Sequence, residues 1–406
     1  MPDCLRPDPG AIDDNGFYRL SAWELATGWV GGFDPAPVVP INPALTPRAA
    51  FELALIPALE RAPCVVAFSG GRDSSAILAV AMHVARREGL PEPIAATHDF
   101  TGIEWVDETS FQELVIRRSG VKDWHRFRDV DAFDVLGEHA QRGLRTHGLL
   151  WPALAHCHEP LVELAGSGGS LVIGEGGDEL LGPQRMNYLN YLQRERPRPT
   201  RAMLESLLQI IGPLPLRRRV VSRDLAGDAL HPWLSVGAQD AFREQMTADL
   251  IGAPLRWDTA VLRHLGRRAV TMSMHNIGRV LALRGVTLHA PFLDPGFAMA
   301  FAASGGRRGF ISRTGMMRML FSDVVPDEIC RRDEKARFGA VAVGRESRAF
   351  LADWDGAGVD TDVIDVERLR EACLDEMPLF GTQLLLQAAW LASEGAASHT
   401  RPAASA

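Results

Sequence analysis

The sequence predicts an α/β fold: a parallel twisted sheet with helices on both faces, followed by a mainly helical portion. Three observations predict it. Short β-branched apolar runs alternate with helix-length segments through the first half, the pattern of a parallel sheet covered on both sides. Two of those runs end in glycine-rich loops, "SGGRDS" (69–74) and "GEGGDE" (174–179), and in such sheets ligands gather beyond the carboxyl ends of the strands. Beyond about residue 195, helical periodicity takes over.

In chain order, residues 1–45 are rich in Pro and Gly and read as an extended arm with one or two short strands. Residues 46–62 read as a helix, with Thr46 as cap and Pro47 in the first turn. Strands are expected at 64–68, 93–98, 124–130 and 170–174, and helices at 74–87, 107–118, 131–145 and 151–165. These make an α/β core over 46–195. A helical portion follows over 196–394, with helices at 238–252, 258–285 and 381–395, and residues 395–406 read as a disordered tail. The arginine runs at 194–201 and 217–223 read as solvated linkers.

The chain of 406 residues carries a net charge of −8, which disfavours a nucleic-acid partner. It has no apolar run long enough for a membrane span and no signal peptide at its start, so a cytoplasmic location is expected. Five widely spaced cysteines (Cys4, Cys64, Cys157, Cys330, Cys373) read as reduced thiols. His156, Cys157 and His158 are adjacent, and neighbours on a helix point in different directions, so they do not read as a metal site.

Each glycine-rich loop has chemistry of its own. In 69–74, glycines let backbone N–H groups approach phosphate oxygens, and the helix behind presents its positive end. The lysine of a Walker loop is absent. Asp73 beside a phosphate nest is repulsive unless a divalent cation lies between them, so Mg²⁺ with a nucleotide is expected. In the second loop Glu175, Asp178 and Glu179 crowd together and need a cation or a raised pKa to coexist. Among 43 basic residues only Lys122 and Lys335 are lysines. A compact, tunable ammonium where arginine is otherwise used marks Lys335 as a candidate for chemistry.

Four segments carry a resemblance. "SGGRDS" resembles the S-G-G-x-D-S pyrophosphate loop of N-type ATP pyrophosphatases, and "GEGGDELLG" resembles the G-E-G-S-D-E segment of asparagine synthetases. "LRGVTLHAPFLDPGF" (283–297) and "VVPDEICRRDEKARFG" (324–339) are similar to two further segments of that family, in the family's order. The resemblance implies an enzyme that binds ATP and Mg²⁺, adenylates a carboxylate with release of pyrophosphate, and lets an amine attack. Ser69, Gly70, Gly71, Asp73 and Ser74 match the pyrophosphate loop, with Ser75 and Gly176 added to the nucleotide-binding set. Asp73 and Asp178 match the Mg²⁺-holding acids. Glu175 matches an acid near the reacting centre, and Lys335 the lysine that steadies charge there; Glu108 and Glu179 are candidate substrate contacts.

The chain departs from glutamine-using relatives at its start, where Pro2 follows Met1 and 68 residues precede the first loop. No ammonia release from glutamine is therefore expected, and the arm reads as the possible remnant of a lost glutaminase-like domain. Amine users in the family it resembles include β-lactam synthetases and lasso-peptide cyclases, and "EKARF" (334–338) resembles the latter somewhat more. The expected partners are a carboxylate and an amine, with a peptide substrate and a pathway protein both open. A tRNA-modifying adenylating enzyme and an inactive scaffold are the alternatives.

Overall fold

The computed structural model describes residues 12–35, 44–227 and 231–400. Helix α1 (Ala22–Thr27) opens it, capped by Ser21, which pairs reciprocally with Glu24. This corrects the expectation of an extended arm: Ser21 and Glu24 form a capping box, and Trp23 and Ala26 are buried in the helical core. The buried Arg268–Glu24 ion pair ties the segment to the body.

Helix α2 (Pro47–Leu59) starts where expected, Thr46 accepting from the Ala49 N–H. Strand β1 (Cys64–Ala67), helix α3 (Arg72–Glu88), strand β2 (Ile94–His98), helix α4 (Thr109–Ser119) and strand β3 (Trp124–Phe127) follow in strict alternation. The segment expected to be helical over 131–145 is a 3₁₀ turn and then α5 (Glu138–His147). Likewise 151–165 resolves into a 3₁₀ turn and α6 (Glu159–Ala165). Strand β4 (Ser170–Val172) runs into α7 (Gly177–Leu181). His156 and His158 are held uncharged by burial, each pushed down to about 4.

The helical portion contains α8 (Arg185–Glu195), α9 (Arg201–Ile211), α10 (Leu214–Gly227), α11 (Val236–Gly252), α12 (Trp257–Arg263) and α13 (Arg268–Leu283). Two expectations are corrected here. The 217–223 arginines lie on α10, not in a linker. The helix expected over 258–285 breaks at a 3₁₀ turn, His264–Gly266, before α13.

Strand β5 (Thr287–His289) then joins β4 in parallel, completing a five-stranded sheet of order β3-β2-β1-β4-β5. The sheet is therefore not confined to residues 46–195. Helices α14 (Pro295–Gly305), α15 (Arg313–Phe321), α16 (Asp327–Arg331), α17 (Gly339–Ala342), α18 (Arg345–Asp353), α19 (Val366–Leu374) and α20 (Thr382–Thr400) complete the chain. Residues 395–400, expected in a disordered tail, continue α20.

Side chains of β1 and β4 alternate between two cores, as strand geometry requires. Cys64, Val66 and Val172 face α2, α3 and α14, with Phe51, Phe292, Phe297 and Phe321 packed together beyond them. Val65, Leu171 and Ile173 face α6 and α13. Because β1 pairs directly with β4 (Val66 opposite Val172), the two glycine-rich loops emerge side by side at the carboxyl edge.

Candidate active site

The first loop leaves β1 through Ser69 and enters α3, whose N-cap is Gly71. Gly70 turns at φ +88°, and a β-carbon there would lie 2.8 Å from Gln112 Cγ; only glycine fits both constraints. Small side chains close the loop on itself. The Ser69 N–H donates to Ser74 Oγ (3.2 Å), Ser74 Oγ donates to the Gly71 carbonyl (3.2 Å), and the Gly71 N–H donates to Ser69 Oγ (3.3 Å). Gln112 Nε2 donates to the Ser69 carbonyl (3.0 Å). The first turn of α3 thereby offers its N–H groups at a fixed nest.

The second loop packs onto the first. A β-carbon on Gly177 would lie 2.4 Å from Asp73 Cγ, so its bare backbone lets the carboxylates of Asp73 and Asp178 converge. What they converge on is Arg313, the first residue of α15. One guanidinium nitrogen contacts both Asp73 oxygens (2.7 and 2.6 Å), and another contacts Asp178 Oδ1 (2.6 Å). Lys335 Nζ pairs with the second Asp178 oxygen. Burial raises Asp73, against the pull of Arg313, and its carboxyl ends above the usual range. Burial also opposes ionisation of Asp178, but Lys335 and Arg313 outweigh it and hold that carboxyl below the usual range.

These groups line a cavity of about 190 Å³ with Ser69, Gly71, Arg72, Asp73, Ser74, Glu108, Gly174, Asp178, Arg313, Arg332 and Lys335 on its walls. A second space of about 170 Å³ adjoins it. Phe68, Ala96, Phe100, Val106, Phe133 and Phe338 line this one, and Ser69, Glu108 and Phe338 are common to both. Lys335 is 72% exposed and reaches in from the rim on the segment after α16.

Seven of the residues expected at the site from the sequence, Ser69, Gly71, Asp73, Ser74, Glu108, Asp178 and Lys335, line this cavity. Others do not. Ser75 is fully buried in α3, one residue further round the helix than Ser74 and so aimed at the core. Gly70 shapes the turn against Gln112, and Gly176, at φ +90°, packs on Leu293. Glu175 and Glu179 are absent from the cavity wall. Burial first, then repulsion from Glu179 and Asp178, pushes Glu175 up to about 7, and burial likewise raises Glu179. Glu108 lines the cavity but is locked in a buried, two-pronged ion pair with Arg332. Arg332 also donates to the Gly70 carbonyl (3.2 Å) and stacks 4.0 Å from the Phe111 ring centroid. That pairing ties Glu108, through Arg332, to the first loop.

Sequence reasoning missed Arg313 and Arg332. A chain that uses arginine for nearly every cation gives no local signal for either. The one available clue was that two converging acids require a counter-charge.

Asp73 and Asp178 offer hard carboxylate oxygens that already share one cation, a donor set that suits Mg²⁺. Among the described residues no group of three or more His, Cys, Asp and Glu side chains is placed to hold a metal. A metal here would complete its shell with phosphate oxygens and water.

All four family-like segments reach this edge: the two loops, the β5–α14 segment through Leu293, and the α16–α17 segment through Arg332, Lys335 and Phe338. A family model described as asparagine synthase matches residues 56–405, a span that holds every candidate residue. No curated protein sequence matches the chain.

Proposed function

The chain belongs to the asparagine synthase family, whose members couple ATP to C–N bond formation, and we propose that it is an AMP-forming amide synthetase that adenylates a carboxylate and joins it to a substrate amine. The observation that carries this reading is the convergence of Asp73 and Asp178 on one cation beside the Ser69–Ser74 nest. A site that gathers acids, cations and helix N–H groups suits a polyphosphate held with its metal.

In this reading the α3 N-terminus and Ser69 bind the pyrophosphate end of ATP. Asp73 and Asp178 hold Mg²⁺, which supplies charge neutralisation on the phosphates when bound. Arg313, freed from the acids, turns its guanidinium to phosphate oxygens, the ligand its planar fork suits. The adjoining aromatic space takes the flat base. The acid's carboxylate oxygen attacks the α-phosphorus, and the bond to the leaving pyrophosphate breaks. The amine then attacks the acyl carbon and AMP departs. Lys335, exposed at the rim and paired with Asp178, steadies negative charge as it develops.

The natural role proposed is peptide or natural-product biosynthesis, by ring closure or by joining two molecules. The amine is proposed to come from a substrate and not from glutamine. Integration of residues 12–35 into the helical body, through Trp23 and the Glu24–Arg268 pair, supports a synthetase role for that segment. Pyrophosphate exchange into ATP, dependent on an added acid, tests the reading. AMP is the expected nucleotide product, and stoichiometric ADP without AMP overturns it. Glutamate released from glutamine in step with amide formation, by this chain alone, overturns the choice of amine.

A further inference from the structure

The hairpin of α9 and α10 carries a surface that the synthetase chemistry does not use. Helix α9 has no buried residue. Leu204 (58% exposed), Leu208 and Ile211 (56%) follow one another at i, i+4 and i+7, and Leu214 (58%) and Leu216 are exposed at the start of α10. Apolar residues at this spacing mark a helix face built for burial, and a contiguous exposed stripe marks an interaction surface where scattered single residues do not.

The charge around it is equally distinctive. Residues 185–227 contain nine arginines against Glu195, Glu205 and Asp224, in a chain whose net charge is −8. Arg217 is structural, its guanidinium donating to the Gln209 carbonyl (2.9 Å) and the Ile251 carbonyl (2.7 Å). Arg218 and Arg219 instead line an open groove of about 590 Å³ between α10 and α11, with Arg243 on its other wall. Arg218 pairs with Glu244 (2.8 Å) and Arg243 with Asp240. Arg219 is exposed and has no acidic partner among the described residues.

The chemistry selects among occupants. A second copy meeting this face in a symmetric contact would set arginine against arginine. A helix made for anionic lipid carries cations along its polar face, whereas α9 has Arg201, Glu205, Ser206 and Gln209 there. The cations lie on the neighbouring helix α10, where Arg218 and Arg219 line the groove against α11. We propose that the α9–α10 hairpin is a docking surface for an acidic amphipathic helix of another polypeptide, its apolar stripe on Leu204, Leu208 and Ile211 and its carboxylates on Arg218 and Arg219.

The test uses the full chain and a labelled synthetic helical peptide, with leucines at i, i+4 and i+7 and glutamates on both flanks. A scrambled peptide of the same composition, phosphatidylserine vesicles and sedimentation of the protein alone run beside it. The expected result is saturable binding of the patterned peptide. Binding should weaken about tenfold or more in Leu208→Asp/Ile211→Asp and in Arg218→Glu/Arg219→Glu, with pyrophosphate exchange and thermal unfolding unchanged. Equal binding of the scrambled peptide, no binding of either, binding confined to vesicles, or self-association lost in Ile211→Asp would each overturn the proposal. Loss of exchange in the parent chain bears only on the proposed reaction, so the two readings fail separately.

Discussion

The two glycine-rich loops start from one design and keep their acids by different means. Each leaves a buried strand through glycines into a helix N-terminus, and each carries carboxylates that cannot coexist bare. At the first loop Asp73 is answered by a fixed cation, Arg313, which it shares with Asp178 across the gap. At the second loop, three residues before Asp178, Glu175 has no ion pair among the described residues and is answered by a proton, its carboxyl pushed up to about 7. Glu179 follows Glu175, with burial raising it. The same local sequence chemistry thus yields a cation-binding pair and, at Glu175, a carboxyl that favours its proton. Which of these a carboxylate becomes is decided by whether an arginine from a distant helix reaches it.

The sharpest way to break this contrast is to remove charge from the cation-binding pair. Asp73→Asn and Asp178→Asn should each cost adenylation about 10³-fold, near the upper end for a single preorganised electrostatic group, because an amide cannot supply the negative charge a hard cation prefers. Pyrophosphate exchange at saturating Mg²⁺, with a melting curve to establish folding, reads this. Near-parental exchange in a folded variant would falsify the shared-cation model.

Lys335 comes next. Lys335→Ala should lose about 10²-fold or more in product formation at saturating ATP. Lys335→Arg should lose most activity too, since a planar fork does not replace a compact ammonium. Lys122→Arg, on an exposed turn, should be silent. If the arginine variant of Lys335 keeps full rate, the position needs only a positive charge and the scarcity of lysine carried no information.

A smaller effect probes Arg313 itself. Arg313→Met leaves the largely buried Asp73 without its counter-ion and Asp178 with Lys335 alone, and breaking such a pair typically costs about 3–5 kcal/mol when fully buried. With Arg313 and Asp73 each 17% exposed, roughly 2–3 kcal/mol is expected. Mg²⁺ without nucleotide should restore part of that loss in the variant and do little for the parent. Unfolding with and without MgCl₂ measures it. An equal metal effect in both proteins would mean that the guanidinium and the metal do not compete for one place.

How much of this was legible in the sequence depends on how local each determinant is. The first four strands read from short apolar or aromatic runs between helix-length segments, but β5 is three residues long, Thr287-Leu288-His289, too short to show a period. Helix α1 sat in a Pro/Gly-rich stretch that masked its Ser21–Glu24 cap. Helical periodicity runs straight through Gly266, so the break before α13 was invisible. At the site, Asp73, Asp178 and Lys335 could be named from loop chemistry and residue scarcity. Where Ser75 and Glu108 point is set by helix phase and by a partner far along the chain, Arg332, neither of which the local sequence shows.

The last prediction turns on the proton-binding side and changes a slope more than a rate. Burial, reinforced by Glu179 and Asp178 and opposed by Lys335, lifts Glu175 from 4.5 to about 7. Between those values the folded protein keeps a proton that the unfolded chain has released. Stability therefore falls as pH rises through this window and levels off above about 7. The gap bounds the effect at roughly 3 kcal/mol. Asp178 has the opposite sign: its carboxyl is held below 3.8, so its contribution is present at neutral pH and lost as pH falls through the folded value. Glu175→Gln removes only the first dependence. Urea unfolding at pH 5 and pH 8 should show the parent losing about 2 kcal/mol more than the variant over that interval, with both weakening together in acid. Parallel pH profiles between 5 and 8 would mean that Glu175 is ionised throughout, and that a cation answers it as Arg313 answers Asp73.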